Sequence, residues 1–358
     1  MKKVRVGILG ATGMVGQRFV TLLENHPYFE VTAIAASKRN AGKTYKEAIE
    51  GRWKLDCPIP SYVLDMILDD VLDVDSVKDK VDFVFSAVDM DKSAIVAFEE
   101  EYAKNEIIVV SNNSANRWTK DVPMLIPDCN IEHLDVIKAQ KERLHTKKGF
   151  IVVKPNCSIQ SYATALYALR EYEPEEIVVT TYQAISGSGK NFESWPEMIE
   201  NIIPYIGGEE EKSEMEPKKL FGKVVNGEIV KDESFNITCQ CVRVPVLDGH
   251  TACVFVNFKK KPTKEQILEA WNNYVGYPEE HNLPLAPSQF IHYFEDNDRP
   301  QVKLDVNNDK GMAINIGRLR EDSVYQYKFV GLTHNTLRGA AGGGMLTAET
   351  LYSLGYFD

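Results

Sequence analysis

A cysteine in the sequence PNCS, Cys157, follows the apolar run 149–153 and precedes a predicted helix. The unpaired N–H groups at a helix start stabilise a thiolate, which lowers the pKa of the cysteine and makes it a nucleophile. Free cysteine is more often a small buried hydrophobic residue, and we interpret three others in that way: Cys57, Cys129 and Cys253. For Cys157 the strand-to-helix position predicts a reactive thiol with a lowered pKa.

A nucleophilic cysteine needs a proton acceptor, and the candidate is His250, which opens an apolar run directly after an Asp-Gly turn. An isolated histidine is more often a structural group than a base. A zinc site is the other alternative for this part of the chain, with ligands Cys239, Cys241, His250 and Cys253. Structural zinc sites prefer close pairs such as CxxC on turns, so this spacing disfavours zinc and we expect no metal.

Three glycines, Gly10, Gly13 and Gly16, lie between the first apolar run and an amphipathic stretch at 14–25. Glycines there allow a tight turn, and the helix N-terminus that follows attracts the pyrophosphate of a dinucleotide. About 20 residues further on, where an NAD enzyme would offer a carboxylate, the chain has Ser37, Lys38 and Arg39. This favours the 2′-phosphate of NADP, although a solvated basic loop is the alternative.

A second glycine cluster, at 186–190, has the sequence SGSGK. A Walker A loop would need glycine at 184 and serine or threonine after the lysine, but the chain has Ala184 and Asn191. We therefore expect a glycine turn that lets the backbone approach a nicotinamide or a substrate.

Two kinds of element must position these groups. Short apolar runs alternate with polar or amphipathic stretches in the first half, which predicts βαβ units and a parallel sheet, with strands at 3–9, 30–36, 81–87, 106–110 and 149–153. A helix at 158–172 is then followed by longer runs with few helices between them, at 176–186, 237–246, 250–258, 301–306, 312–318 and 324–332. These runs predict a mostly antiparallel sheet.

The predicted fold class is therefore α/β, a Rossmann-type dinucleotide-binding domain joined to an α+β catalytic and dimerisation domain. The tail 334–358 has a helical pattern and could pack back on the first domain. We assign 1–156 with 334–358 to the dinucleotide-binding domain and 157–333 to the second domain.

The composition limits the kinds of partner that this protein can bind. A formal net charge of -11 argues against a nucleic-acid surface, and no apolar stretch reaches the ~18 residues that span a bilayer. The start MKKVRVGILGATG is interpreted as a buried strand and not a signal peptide, because glycines interrupt it and no cleavage site follows. Six cysteines spread over the chain fit a reducing cytoplasm and small-molecule partners.

Taken together, these motifs resemble aspartate-β-semialdehyde dehydrogenases of the branch shared by archaea and fungi. The resemblance covers essentially the whole chain and rests on GATGMVGQRFV, SNNSANRW at 111–118, PNCSIQ at 155–160, QAISGSG at 183–189 and CVRVPVLDGH at 241–250. It implies NADP-dependent reduction of L-aspartyl 4-phosphate to the semialdehyde through a cysteine thioester, in lysine, threonine and methionine biosynthesis. It also implies a homo-oligomer, a dimer or tetramer.

The resemblance implies roles for individual residues. Cys157 would be the nucleophile and His250 the general acid/base. Six residues would bind substrate: Arg243 the α-carboxylate, Glu209 the amino group, Arg117 and Lys212 the phosphate, Gln183 the substrate beside the thiol, and Asn156 the oxyanion. Neighbours in the run 209–211 could exchange roles by a register shift.

The cofactor residues follow in the same way. They are Gly10, Thr12, Gly13, Met14 and Val15 at the pyrophosphate, Ser37, Lys38 and Arg39 at the 2′-phosphate, Ser86, Ser186 and Gly187 along the cofactor, and Asn335 near the carboxamide.

Two other functions fit part of the pattern. A malonyl-CoA or succinyl-CoA reductase could share this fold and thiol, but it would not need Glu209 for an ammonium or Arg117 and Lys212 for a phosphate. A catalytically inactive NADP-binding sensor would need neither Cys157 nor His250.

Overall fold

The computed structural model describes residues 2–358. The first sheet has six strands, all parallel, in the order β3-β2-β1-β4-β5-β6. Its strands are β1 Val4–Leu9, β2 Phe29–Ala36, β3 Leu68–Asp70, β4 Phe83–Ser86, β5 Ile108–Ser111 and β6 Ile151–Val153. The prediction of a parallel, Rossmann-type sheet is confirmed.

The second sheet has six strands in the order β10-β7-β11-β14-β13-β12, and a two-stranded ribbon pairs β8 with β9. Its three central pairings are antiparallel and the two outer ones are parallel, so the mostly antiparallel sheet is confirmed. The strands are β7 Pro174–Gln183, β8 Lys223–Val225, β9 Glu228–Val230, β10 Asn236–Arg243, β11 His250–Phe258, β12 Ile291–Phe294, β13 Ile314–Glu321 and β14 Tyr327–Thr333.

Helices connect and cover the two sheets. They are α1 Met14–Leu22, α2 Tyr45–Ile49, α3 Val74–Lys78, α4 Lys92–Lys104, α5 Ile137–Leu144, α6 Ala163–Tyr167, α7 Glu209–Leu220, α8 Lys264–Asn272, α9 Tyr277–Glu280, α10 Val302–Asp305 and α11 Gly342–Ser353. Among residues 2–358, no helix is long and apolar enough to cross a membrane.

Apolar side chains form a separate core around each sheet. Strands of the first sheet are buried on both faces, as a parallel sheet covered by helices requires. One of these faces packs against Met345, Ala348 and Leu351 of α11, so the C-terminal helix lies on the first sheet. The second sheet has one buried face, on which Tyr162 and Trp271 pack.

Three expectations for individual segments were wrong. The run 301–306 contains the helix α10, not a strand, because Asp305 accepts a hydrogen bond from the Gln301 N–H at 2.6 Å and closes a helical turn. The stretch 158–172 is broken into α6 between two 3₁₀ turns, Ser158–Ser161 and Arg170–Tyr172. Cys57 is exposed, not buried.

Strand register gathers three polar residues at one end of the second sheet. Gln183 ends β7, and the parallel pairing of β7 with β10 places it opposite Arg243, which ends β10. His250 begins β11, whose antiparallel pairing with β7 brings its first residues to the same end. The turn that follows β6 carries Cys157 to this point from the first sheet.

Candidate active site

The thiol of Cys157 faces the ring of His250, with 3.3 Å between Sγ and Nε2. The two residues come from different sheets, and the turn Leu337–Ala341 packs behind the cysteine. At Gly339 an added Cβ would lie 2.7 Å from the Cβ of Cys157, so only glycine allows this approach without displacing one of the two. The pair predicted from sequence is therefore brought together in the structure.

Burial raises the pKa of Cys157 to about 11, and the nearby Glu209 carboxylate adds to the shift. Lys154 and Arg117 oppose it, because their positive charges stabilise a thiolate. We expected the helix start to lower the pKa of Cys157, and for the site without substrate this prediction was wrong. The helix that begins after Cys157 is only a 3₁₀ turn of four residues, and its dipole is too small to outweigh burial.

The ring of His250 is fully buried, and its Nδ1 accepts a hydrogen bond from the Ala184 N–H at 3.0 Å. Burial lowers the pKa of His250 to about 3, and the charge of Arg243 acts in the same direction. The Gly187 backbone passes close to both, since an added Cβ would lie 3.2 Å from Arg243 Nη1 and 3.2 Å from His250 Cε1. A glycine here keeps the space beside the ring open.

One face of α7 carries charged residues toward the cysteine turn. Glu209 accepts hydrogen bonds from Lys212 Nζ at 2.7 Å and from Asn156 Nδ2 at 2.9 Å. Although burial opposes it, the pKa of Glu209 is lowered because Lys212 and Asn156 stabilise the carboxylate. Of the acidic run at 209–211, Glu209 faces the site, whereas Glu210 accepts from the Cys241 N–H of the edge strand β10.

The two predicted anion-binding arginines are buried and held by the protein itself. Arg117 Nη1 pairs with Glu216 at 2.8 Å, and its Nε donates to the Lys154 carbonyl at 2.9 Å. Arg243 Nη1 donates to the Ala184 carbonyl at 2.7 Å, and burial lowers the pKa of Arg243. Each guanidinium keeps further N–H groups for a ligand.

Gln183 and Asn156 complete the substrate side. Gln183 is buried, and its amide donates to Thr181 at 3.2 Å and to Glu209 at 3.4 Å. The Asn156 carbonyl oxygen accepts from the Ser158 N–H at 2.7 Å, which leaves its NH₂ group directed at Glu209. The amide of Asn156 is thus oriented beside the thiol, with its donor side toward the charged face of α7.

The glycine loop has the features that a dinucleotide pyrophosphate requires. Gly10 has a φ of +87°, and an added Cβ would lie 2.3 Å from the Ala87 carbonyl oxygen. Gly13 is the N-cap of α1 and makes no side-chain hydrogen bond to the helix. The first N–H groups of α1 are therefore open to an anion. Met14 and Val15 line the cleft that leads to Cys157. The residues present therefore fit a dinucleotide, with Thr12 in the same loop.

The basic loop lies at the neighbouring strand end. Ser37, Lys38 and Arg39 are exposed and directly follow β2, and the Gly10 N–H donates to the carbonyl of Ala35 in that strand at 2.9 Å. The two loops therefore lie side by side at the carboxyl edge of the sheet, where a ribose attached to the pyrophosphate would extend.

Ser186 and Asn335 lie together between the cleft and the β10–β11 turn. The Asn335 amide donates to Ser186 Oγ at 2.8 Å, and its carbonyl oxygen accepts from the Gly249 N–H at 2.7 Å. Ser186 in turn donates to Asp248 at 2.6 Å. Ser86 is different: it is fully buried and does not line the cleft.

A buried carboxylate, Glu99, was not anticipated from the sequence. One of its oxygens accepts from Ser86 at 2.9 Å, Ser111 at 2.5 Å and Asn113 at 2.8 Å, and the other accepts from Asn116 at 2.8 Å. These donors belong to the ends of β4 and β5 and to the loop before Arg117. Glu99 therefore holds one wall of the site, and its only sequence signal is an acid within the apolar face of α4.

Two more charged residues were missed. Glu216 accepts from the Asn156 N–H at 2.5 Å and so ties α7 to the cysteine turn; its spacing from Glu209 and Lys212 on one helix face could have revealed it. Lys154 is 3% exposed, lines the cleft and donates to the Pro155 carbonyl at 3.0 Å. Burial lowers the pKa of Lys154 to about 7, against the attraction of Cys157.

The cysteines considered for zinc do not meet around His250. Cys239 and Cys241 point into the core, where they contact Tyr162 and Ser213. Cys253 is three residues beyond His250 in β11 and lies on the other face of the sheet. Within residues 2–358 no group of metal-binding side chains is found.

Cys157 lies in a cleft of about 470 Å³ that also reaches Met14, Arg117, Lys212 and Asn335. One cleft thus joins a nucleotide loop, a thiol facing a histidine, and charges of both signs. This arrangement can bind a dinucleotide beside a small charged substrate and form a covalent bond to it.

Comparison with known proteins gives consistent results. Residues 5–137 match the family model of the semialdehyde dehydrogenase NAD-binding domain, and residues 166–338 match that of the semialdehyde dehydrogenase dimerisation domain. An aspartate-semialdehyde dehydrogenase of Methanothermobacter thermautotrophicus is 42% identical, covering 97% of this chain and 99% of its own. One of Schizosaccharomyces pombe is 41% identical, with 98% of each chain covered.

A solved structure also matches over the full length. The Candida albicans aspartate-semialdehyde dehydrogenase, crystallised with NADP, superposes with a TM-score of 0.89 at 37% identity. The match covers 99% of this chain and 100% of that one.

Proposed function

The chain belongs to the aspartate-semialdehyde dehydrogenase family, and on that basis we propose how its residues reduce L-aspartyl 4-phosphate to the 4-semialdehyde and phosphate. The reaction uses NADPH and serves lysine, threonine and methionine biosynthesis. The observation that carries the proposal is the 3.3 Å contact between Cys157 Sγ and His250 Nε2 in a cleft with paired charges.

Cys157 is the nucleophile. Its sulfur bonds to the acyl carbon, the bond from that carbon to the phosphate oxygen breaks, and the thiol proton leaves on the phosphate. When NADPH is bound, it supplies a hydride to the carbon of the resulting thioester. The carbon–sulfur bond then breaks, the aldehyde departs, and the thiolate takes a proton from water. His250 is the general acid/base that takes the thiol proton and passes it to the departing phosphate, and the Cys157 N–H and the Asn156 amide serve the oxyanion.

Binding of the substrate ammonium reorganises the charges of the cleft. Glu209 is engaged with Lys212 and Asn156, and an ammonium that binds this carboxylate competes with both. Lys212 is then available to the phosphate together with Arg117, and the Asn156 NH₂ group to the oxyanion. Pairing also neutralises the Glu209 charge that raises the pKa of Cys157, so substrate binding favours the thiolate.

Two further substrate contacts follow from the positions of Arg243 and Gln183 beside the thiol. Arg243 binds the α-carboxylate through its planar donors, and Gln183 orients the substrate beside the thiol. A malonyl-CoA or succinyl-CoA substrate would leave Glu209 without an ammonium partner. The amino-acid substrate therefore uses more of the charged groups in the cleft.

NADP binds along the glycine loop. The backbone of Gly10, Thr12, Gly13, Met14 and Val15 receives the pyrophosphate, where a Cβ at Gly10 would collide with the Ala87 carbonyl. Ser37, Lys38 and Arg39 bind the 2′-phosphate. Ser186, Gly187 and Asn335 contact the nicotinamide half of NADP. Ser86 is buried behind this part of the site.

We also propose that two copies associate through the outer face of the second sheet. This face carries half-buried apolar residues on neighbouring strands, where Phe255 pairs with Val178 and Cys253 pairs with Val330. The domain boundaries proposed are 1–156 with 334–358 and 157–333. We propose the cytoplasm as the location, since all six cysteines are free thiols.

The test is the reverse reaction, followed by the absorbance of NADPH. Purified protein should form NADPH from aspartate semialdehyde, phosphate and NADP, and Cys157→Ser should lower kcat by roughly 10⁴-fold or more. Cys57→Ser, at an exposed cysteine that does not line the cleft, is the matched control and should keep full activity. Consumption of NADPH with malonyl-CoA but no reaction with the semialdehyde would refute the proposal.

A further inference from the structure

Lys219 lies near the end of α7 and joins this helix to the loop that carries Arg117. We propose that Lys219 is a positioning residue of the phosphate site: its ammonium fixes the loop 117–122 to α7, so that Arg117 and Lys212 keep the spacing that a phosphate needs. This inference rests on the proposed function, which assigns the phosphate to these two cations. It adds that a third cation acts on the phosphate without touching it.

Three backbone carbonyl oxygens surround Lys219 Nζ, and all of them belong to this loop. They lie at 2.6 Å for Arg117, 3.0 Å for Thr119 and 2.9 Å for Val122. Lys219 is 2% exposed and does not line the cleft that contains Cys157. An ammonium has three N–H groups, and each of them finds an acceptor here. Lys219 therefore has no donor left for a ligand, and its effect on the reaction must pass through the loop.

The same carbonyls favour the charged form of Lys219. A neutral amine has only two N–H groups, so it would leave one of the three carbonyls without this donor. Burial lowers the pKa of Lys219 to about 7, the carboxylates of Glu216 and Asp121 oppose this shift, and Lys231 adds to it. The ammonium is therefore the form that satisfies the loop.

Arg117 is held by α7 at both its backbone and its guanidinium. Lys219 binds the Arg117 carbonyl, and Glu216 pairs with Nη1 of the guanidinium at 2.8 Å. Lys212, the other cation assigned to the phosphate, projects from the same helix. Residues that recur every three or four positions share one helix face, which here carries Glu209, Lys212, Glu216 and Lys219. One helix face thus supplies one phosphate cation and positions the other.

Other residues of α7 fix the helix to the second sheet. Glu210 accepts from the Cys241 N–H at 3.2 Å and Glu214 accepts from the Cys239 N–H at 2.9 Å, both in the edge strand β10. The loop 117–122, which the proposed boundaries assign to the first domain, is thus attached to the second domain. Arg117 then keeps its place beside Lys212 in any movement of the two domains against each other.

Lys219→Met tests the inference, because methionine fills much of the same space without a donor. A displacement of about 1 Å at a positioned group costs roughly 10²-fold. In the NADPH-forming direction we expect the KM for phosphate to rise by roughly tenfold to 10²-fold, and the KM values for semialdehyde and NADP to change by less than about threefold. A merely structural role would lower kcat with the amount of folded protein and leave the KM for phosphate unchanged.

Lys218→Met is the matched control, because it removes the same charge from the next position, where the side chain pairs with Glu233. It should leave the KM for phosphate near the native value. An equal rise in both variants would show that loss of positive charge on α7 is enough, and would overturn the positional role of Lys219.

Protection of Cys157 from iodoacetamide by inorganic phosphate measures binding without turnover. The phosphate concentration that halves the alkylation rate should rise in Lys219→Met by the same factor as the KM. In an Arg117→Ala background, Lys219→Met should change it by less than about twofold, because the two residues act on one contact. Effects that multiply would overturn the inference.

A variant that fails to fold is recognised by the loss of its urea transition. Lys219→Gln, which is shorter and keeps an amide donor, then replaces Lys219→Met in the same assay, with a rise expected in the same direction. Native phosphate protection in a folded Lys219 variant would overturn this inference alone. If phosphate does not protect the native protein and no NADPH forms, the proposed function is refuted together with it.

Discussion

Replacing Gly339 by alanine should displace the nucleophile. The added Cβ would lie 2.7 Å from the Cβ of Cys157 and 3.2 Å from its Cα, whereas carbon atoms pack at about 3.5–4.0 Å. One of the two backbones must therefore move by about 1 Å. A displacement of this size at a reacting group costs roughly 10²-fold in rate. We expect Gly339→Ala to lower kcat/KM by that factor.

The same substitution should also lower the free energy of unfolding. Overpacking costs about 1–3 kcal/mol, and the higher helix propensity of alanine offsets up to about 1 kcal/mol of this. Gly344→Ala in α11 is the matched control, because its Cβ would meet Phe19 Cζ at 3.0 Å, away from the thiol. That variant should change stability by a comparable amount and leave kcat/KM near the native value.

Three measurements decide between these expectations: steady-state kinetics with semialdehyde and phosphate, urea denaturation, and the rate of Cys157 alkylation by iodoacetamide. A destabilised Gly339→Ala protein with native kcat/KM and a native alkylation rate would refute the positional argument. Equal activity losses in both glycine variants would mean that any disturbance of the segment 337–353 lowers activity, wherever it falls.

Three further predictions concern charged residues. Lys154→Arg should lower the pKa of Cys157, because a guanidinium stays charged while the thiol titrates, whereas burial lowers the pKa of Lys154 to about 7; the pH dependence of alkylation measures this. Burial and the neighbouring Asp128 raise the pKa of Glu279 above its unfolded value of about 4.3. This raised pKa stabilises the fold fully below the unfolded pKa, and the stabilisation is lost as pH rises. A glutamine side chain does not titrate, so in Glu279→Gln the free energy of unfolding should fall less steeply with pH. Urea denaturation from mildly acidic to alkaline pH measures this. Arg39→Ala should raise the KM for NADP by about tenfold and that for NAD much less, since a charge-assisted hydrogen bond contributes about 1.5 kcal/mol.

The first domain was the easiest part to predict, because its signals are local. Glycine spacing, the apolar run before it and the amphipathic stretch after it all lie within the first 25 residues and together specify a strand, a turn and a helix. The run 301–306 shows the opposite case. Its alternation of apolar and polar residues suits a strand, but Asp305 binds the Gln301 N–H and also Arg299 and so favours a helix.

The site was predictable in its residue types but not in its electrostatics. Cys157 and His250 are separated by 93 positions, and their contact follows from strand register, which periodicity does not give. The pKa of the thiol depends on burial and on Glu209, so an argument from a helix start alone gave the wrong direction. The signal of Glu99 was only an acid within an apolar helix face, and Lys154 had none, because the partners of both are set by tertiary packing.

In the proposed mechanism, two of the substrate-binding residues belong to helix α7, which has 12 residues. Glu209, Lys212 and Glu216 lie on one face; the first two are proposed to bind the ammonium and the phosphate, and Glu216 accepts from the Asn156 N–H of the cysteine turn. Specificity can therefore diverge through changes in one contiguous stretch of the gene while the thiol, the histidine and the nucleotide loop stay the same. A designer who wants another acyl group can change Glu209 and Lys212 and keep Glu216, which holds the cysteine turn and Arg117.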